Sequence, residues 1–403
     1  MKIVIDFSVP EEHRLLVRGL RSFLEREIRP LEEQYREYFE DERKRLQDDG
    51  SLVPKVKEMI DRVRRRSGEL GYYGMHMPED VGGSGINRVG LFFAQKEVWR
   101  HGLGLNAYLL AGPEGPSPML LHLNEAQRKK YLYPLVKGEI TTCFALTEPE
   151  AGSDIKNLKT TAEKHGDYYI LNGLKTFITN AAHADFAQVF AVTDPKLYKE
   201  SGYSGVTAFI VDRETPGYKV GRINRSILDD GSQAELIFEN CKVPKENIIG
   251  EEQMGFYVAM SWIGIGRLNI AGMCVGLGEY LLKESVEYAT QRTAFGKPIA
   301  KYQHIRGMLA DSAAELYACE QLVLNCAWRL DQGEQIIKES AIAKYFATNM
   351  LYRLADRAVQ IHGGMGVMKE LPIERVFKLA RVLRIVEGTD EIQKETIAKS
   401  LGL

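Results

Sequence analysis

The residues best suited to chemistry fall in short runs. The most suggestive lies near the C-terminus: Leu383-Arg384-Ile385-Val386-Glu387-Gly388-Thr389-Asp390-Glu391-Ile392-Gln393. Val376, Leu379, Ala380 and Leu383 fall at helical spacing, and Asp390 with Gln393 three residues on reads as the opening of a further helix. Glu387 therefore sits in a Gly-containing joint between two helices, directly after two β-branched apolar residues. A carboxylate among apolar neighbours has its pKa raised and becomes a better proton acceptor near neutral pH. A solvated glutamate in a surface joint is the other reading, and this stretch alone leaves both open.

Further runs carry hydroxyls, aromatics and guanidinium groups. Phe144-Ala145-Leu146-Thr147-Glu148-Pro149-Glu150-Ala151-Gly152-Ser153-Asp154 must form a loop at Pro149 and Gly152. Its hydroxyls and backbone N–H groups suit a polar ring or phosphate oxygens, although Ser153 and Asp154 also read as ordinary turn and capping residues. Phe177-Ile178-Thr179-Asn180 sets an aromatic beside a hydroxyl, while most strand aromatics are simply core. Arg267 follows Gly264-Ile265-Gly266, and Arg292 opens a run through Phe295 to Pro298, with Gln303 beyond. An arginine fork can bond two pyrophosphate oxygens; a solvated helix-end charge is the alternative. Gln360-Ile361-His362-Gly363-Gly364-Met365-Gly366 is glycine-rich, but it follows a helical pattern, which argues against a dinucleotide fold. The loop from Leu70 to Gly85 has no Gly-Lys-Ser/Thr and follows no clear strand, so it does not read as a phosphate loop. His362 reads as a packing histidine, and the eight histidines have no metal-ligand spacing.

Taken together and in order, these runs resemble the acyl-CoA dehydrogenase family. The resemblance rests on Pro78-Glu79 with Gly82-Gly83, Thr147–Asp154, Phe177–Asn180, Arg292 with Phe295-Gly296-Lys297, Gln360–Gly366 and Glu387-Gly388-Thr389. It implies a helical N-terminal domain, a middle antiparallel β barrel or sandwich, and a C-terminal four-helix-type bundle. It implies FAD, with Phe144, Leu146, Thr147, Gly152, Ser153, Phe177, Ile178 and Thr179 lining the flavin and Thr389 and Glu391 completing the cofactor site. Arg292, Phe295 and Gln303 would reach a neighbouring subunit's FAD, with Gln360, Gly363 and Gly364 on its ADP portion. Ser153, Arg267 and Gly388 would meet an acyl-CoA. The implied reaction is α,β-dehydrogenation to the trans-2-enoyl-CoA. Glu387 takes the α-proton, the β-hydrogen leaves as hydride to flavin N5, and the Glu387 N–H with a ribityl hydroxyl holds the enolate-like oxygen. The implied partners are an electron-transfer flavoprotein as acceptor and further copies of the chain, as a dimer or tetramer.

The chain departs from the family pattern at Phe144 (often Tyr), Phe177 (often Trp), Gly264 (often acidic) and Glu391 (often near a Gln). Gly266 cannot supply the base that a subgroup carries just before the arginine, so Glu387 has no rival there. A flavin oxidase or monooxygenase of the same fold, acting on another carbon acid, is the alternative activity. A non-enzymatic scaffold is the third class.

The elements that must position these runs follow from periodicity. Ser8 with Glu11 reads as a capping box, and Leu16, Leu20, Phe23 and Leu24 share a helical face. Val56, Met59, Ile60 and Val63 mark a second helix, and Val89–Val98 and Glu125–Val136 continue the pattern. Residues 1–140 are thus predicted helical. Tyr168–Leu171 and Leu174–Thr179 read as two strands around an Asn172-Gly173 turn. Phe186–Val192, Val206–Val211 and Ala234–Phe238 follow, with turns at Pro216-Gly217 and Asp229–Gly231, making 141–250 a β domain. Long helical patterns return near Met254–Arg292, Gln303–Gln332 and Glu339–His362, so 251–403 reads as a bundle.

Composition bounds the partners. A net charge of -2 with no long basic block argues against nucleic acid or an anionic membrane. Five scattered cysteines predict free thiols and a reducing compartment. The start Met1–Asp6 is too short an apolar run for a signal peptide, and no stretch approaches a bilayer span, so a cytoplasmic protein is expected.

Overall fold

The computed structural model describes residues 9–228 and 230–403. The Ser8 N-cap, the Met1–Asp6 run and Asp229 of the expected turn lie outside them.

Three longer helices build the first part: α1 (Glu11–Phe23), α2 (Pro54–Glu69) and α3 (Arg88–Trp99). α2 begins on a proline, whose missing N–H costs nothing at a helix start. Asn87 caps α3 by accepting from the Gly90 N–H at 2.8 Å. The apolar stripes of these helices (Leu20, Phe23, Val56, Met59, Val63, Leu91, Ala94) close one core.

The strands are β1 (Thr142–Ala145), β2 (Thr161–His165), β3 (Tyr168–Thr179), β4 (Phe186–Val192), β5 (Val206–Asp212), β6 (Tyr218–Asn224) and β7 (Gln233–Pro244). They run in the order β1-β4-β2-β3-β7-β6, with β5 along β4. Pairing is mainly antiparallel; β1 joins β4 in parallel. β4 is buried along its whole length because its two faces serve two cores. Phe186, Phe190 and Val192 pack with Leu132, Leu135 and Trp262 of the helical parts. Ala187, Val189 and Ala191 pack with Tyr169, Leu171 and Phe209 inside the sheet.

The expected turn at Asn172-Gly173 is corrected. β3 runs unbroken through it, and the hairpin turns instead at Gly166-Asp167 between β2 and β3. Asn172-Gly173 forms a bulge against β7, where the register slips between Leu171↔Cys241 and Gly173↔Phe238. The Asn172 carboxamide oxygen accepts from the Asn240 N–H at 2.7 Å. A Cβ on Gly173 would lie 2.7 Å from Thr160 Cα, so glycine is required here by close backbone approach.

The bundle comprises α4 (Gly255–Gln291), α5 (Gln303–Asp331), α6 (Ile337–His362), α7 (Ile373–Leu383) and α8 (Asp390–Ser400). A small hairpin of β8 (Thr293–Ala294) and β9 (Lys297–Pro298) joins α4 to α5. Contrary to the sequence expectation, α4 is long and apolar enough to cross a membrane by length and composition. Yet 61% of its apolar window is buried inside the protein. The five cysteines are free and buried.

Candidate active site

Glu387 lies between α7 and α8 in a two-residue reversal: its φ is 54°, and that of Gly388 is 87°. A left-handed glutamate is strained, so the surroundings must hold it. They do so through carbonyls. Gln393, fully buried on α8, donates its carboxamide N–H to the Glu387 carbonyl at 3.1 Å and the Gly388 carbonyl at 2.9 Å. Lys344 of α6, also fully buried, donates to the Gly388 carbonyl at 2.8 Å. The helix opening differs from the sequence reading: Thr389 is the N-cap, accepting from the Ile392 N–H at 3.3 Å. Asp390 instead accepts from Arg384 Nε at 2.8 Å and Asn349 Nδ2 at 3.0 Å.

The carboxyl of Glu387 faces α4. A Cβ added to Gly266 would sit 3.1 Å from Glu387 Oε2. Burial raises the Glu387 pKa to about 7, against the opposing charges of Arg267 and Lys344. The residue keeps some exposed surface, but the protein packed around the carboxyl outweighs both cations. Arg267 is buried beside this carboxyl, its own pKa lowered by burial, and its Nε meets no hydrogen-bond acceptor. It is thus placed as a cation for Glu387 rather than as an open surface charge. Trp262, one turn earlier on α4, packs in the core that also holds Phe144, Phe190 and Leu146. α4 therefore carries its place in the β-domain core at Trp262 and its approach to Glu387 at Gly266 about one helical turn apart.

At that rim the 146–153 loop lies along β3, since the Thr176 N–H donates to the Thr147 carbonyl at 3.0 Å. A buried ion pair, unseen in the sequence, fixes the loop. Lys175 Nζ donates to Glu148 Oε1 at 2.7 Å and to the Leu146 carbonyl at 3.1 Å. Glu148 also accepts from the backbone N–H groups of Lys159 and Thr160, at 2.5 and 3.1 Å. Burial favours the neutral carboxyl, but Lys175 and these donors hold Glu148 below the usual carboxylate range. Phe177 presents its ring outward, 64% exposed at φ 55°, with half-buried Thr179 beyond it. Gly152 faces open space, and Ser153 is exposed. Leu146 and Ile178 are buried in the cores, so only their backbone groups can line a ligand; the Phe144 ring is partly committed to Phe190, 4.9 Å between centroids.

The remaining candidates lie elsewhere on the chain. Arg292, Phe295 and Gln303 are exposed around the β8–β9 hairpin, Phe295 to 96%. Gln360, Gly363 and Gly364 are exposed where α6 ends, and Glu391 is exposed on α8. Lys344 and Gln393 were missed by the sequence reading because each acts on a backbone carbonyl.

The rim fits the expected cofactor. A projecting aromatic face, the Thr147 and Thr179 hydroxyls and the open backbone at Gly152 match what a flat, polar isoalloxazine requires. Comparison with known proteins agrees. Family models for the acyl-CoA dehydrogenase N-terminal, middle and C-terminal domains match residues 10–139, 143–241 and 253–402. The 3-(aryl)acrylate reductase of Clostridium sporogenes is 38% identical over 97% of this chain and 98% of its own. A subunit of the caffeyl-CoA reductase–Etf complex of Acetobacterium woodii is 38% identical over 86% of this chain and 89% of its own. The structure of an acyl-CoA dehydrogenase complexed with FAD from Bacillus anthracis superposes with a TM-score of 0.84 at 31% identity, covering 99% of this chain and 68% of that one. The chain belongs to the acyl-CoA dehydrogenase family and is an FAD-dependent oxidoreductase.

Proposed function

We propose that the protein removes hydrogen from Cα and Cβ of an acyl-CoA thioester, giving the trans-2-enoyl-CoA, and delivers the electrons to an electron-transfer flavoprotein. The observation that carries this reading is Glu387: a carboxylate with a pKa raised to about 7, held by its own backbone in a strained reversal. Removing an α-proton of low acidity needs a base matched to neutral pH and a donor for the oxygen that gains charge. Among the described residues the Glu387 N–H has no hydrogen-bond partner, which leaves it to donate to the thioester oxygen. Phe177, Thr147 and Thr179 would hold the isoalloxazine. FAD, when bound, accepts the β-hydrogen as a hydride.

The acceptor is supported by the Acetobacterium relative, whose name places it in a complex with Etf. The exposed Arg292, Phe295 and Gln303 support a second copy of this chain as the structure against which they pack.

Glu387→Gln keeps shape but removes the base. Anaerobic single-turnover bleaching of the flavin by acyl-CoA should slow at least about 10²-fold while FAD content is unchanged. Bleaching at the wild-type rate would show that Glu387 is not the base.

A further inference from the structure

Lys344 is a lysine in the middle of α6 with no exposed surface, and such burial of an ammonium is costly unless something is gained. Its hydrogen bonding does not explain it. Among the described residues its only acceptor is the Gly388 carbonyl, at 2.8 Å, and no carboxylate lies within ion-pair distance. That carbonyl is already served by Gln393 at 2.9 Å, a neutral donor that could hold the reversal without any charge. The bond to Gly388 is duplicated; the charge is not.

Burial lowers the pKa of Lys344 to about 8, so its charge is present at pH 7 and is lost as the pH rises through 8; the groups around it define what that charge meets. From α4 come Arg267 and the buried thiol of Cys274; from α8 comes Asp390; from the joint comes Glu387. Arg384 and Asn349 both bond Asp390 Oδ2 and leave its buried Oδ1 without a hydrogen-bond partner among the described residues, so Asp390 shares the charge of Lys344 with Glu387. Cys274 is kept protonated, its pKa pushed well up by burial. Glu387 faces the same ground with two cations near it, Arg267 and Lys344, and no hydrogen bond to its carboxylate from either. Lys344 therefore stands where a positive charge acts on the base through space while its one bond fixes the base's own backbone.

We propose that Lys344 is a positioning residue for Glu387: its buried ammonium pins the Gly388 carbonyl and sets a positive charge near the carboxylate, partly offsetting the burial that favours the protonated carboxyl. This rests on Glu387 being the base of the proposed reaction. The charge works in one direction only, since an adjacent cation favours the ionised carboxylate and burial opposes it. Without Lys344, Arg267 alone offsets burial, and Glu387 takes up its proton at higher pH.

The test compares Lys344→Gln, which keeps a donor near the carbonyl without the charge, with Lys344→Met, which keeps neither, and Lys344→Arg, which keeps the charge. Ionisation of Glu387 is read in the FAD-loaded protein, without substrate, from the infrared carbonyl band that Glu387→Gln abolishes. The midpoint should rise by about half to one pH unit in both the Gln and the Met variants and stay near wild type in the Arg variant. The flavin-bleaching rate of Lys344→Gln should fall at pH 7 and recover to within about threefold of wild type a unit above the new midpoint. A wild-type midpoint in Lys344→Gln overturns the proposal, as does an equal shift in Lys344→Arg. If Lys344→Met does not fold, Lys344→Gln and Lys344→Arg decide between these outcomes. The infrared reading needs no acyl-CoA, so wild-type protein that no acyl-CoA bleaches would refute the proposed reaction while this charge effect is judged separately.

Discussion

Gly266 offers a perturbation with two opposite signs. It lies inside α4, where replacing glycine by alanine removes backbone freedom from the unfolded chain and should stabilise by about 0.5–1 kcal/mol. The new methyl, however, would stand 3.1 Å from Oε2 and 3.2 Å from Cδ of Glu387, and no other atom lies as close. Ordinary contact needs a few tenths of an ångström more, so the carboxyl must move while Lys344 and Gln393 hold its backbone in place. The side chain can rotate away, so most of the stability gain survives. The base, though, leaves its place, and displacements near 1 Å cost about 10²-fold in rate. Gly266→Ala should therefore lower the single-turnover bleaching rate several-fold, and Gly266→Val by about 10²-fold. For Gly266→Ala the denaturation midpoint should be unchanged or higher. Stopped-flow absorbance and thermal unfolding on the same FAD-loaded sample measure both. A slow variant that is also less stable would mean general disruption, and a Val variant as fast as wild type would mean the carboxyl does not work where it stands.

Three further outcomes follow from other parts of the molecule. A base with a pKa of about 7 accepts a proton only when ionised, so bleaching at low acyl-CoA should fall about tenfold per unit below pH 7 and level off above it; a midpoint near 4.5 would contradict the raised pKa. Lys175→Met leaves Glu148 buried without its cation, which should cost about 3–5 kcal/mol in urea unfolding and release FAD, with partial recovery in Lys175→Met/Glu148→Gln; an unchanged urea midpoint would refute the role of this pair. Arg292→Glu should weaken FAD retention and shrink the assembly seen by gel filtration, and if both are unchanged the exposed hairpin serves neither purpose.

What could be read in advance divides along a physical line. The joint around Glu387 was legible because its cue is local, a glycine between two helical periods, while the stretch alone left the role of the glutamate open. Phe177 was legible as an aromatic, but its outward turn depends on a positive φ at a bulge that pairing with β7 creates. Leu146 and Ile178 sit within motif runs yet are buried in the cores: Ile178 by alternation along β3, and Leu146 in the loop just past β1. Asn172-Gly173 has the composition of a tight turn, and only the long partner strand and the nearby Thr160 backbone make it a bulge. Lys344 carries no cue at all, and Gln393 reads only as part of a helix opening. A lysine inside a helix reads as a solvated residue, and its target is a carbonyl 44 residues away, which every residue possesses.

The part proposed for Glu387 as a proton carrier has a consequence for the direction of turnover. A group returned unchanged at the end of each cycle speeds both directions alike, so Glu387 favours neither saturation nor unsaturation of the carbon chain. The direction of net flux is then set by the redox potential of whatever exchanges electrons with the flavin. The same side chains would serve dehydrogenation or reduction unchanged, and a change of electron partner, without any change at Glu387, would be enough to reverse the traffic.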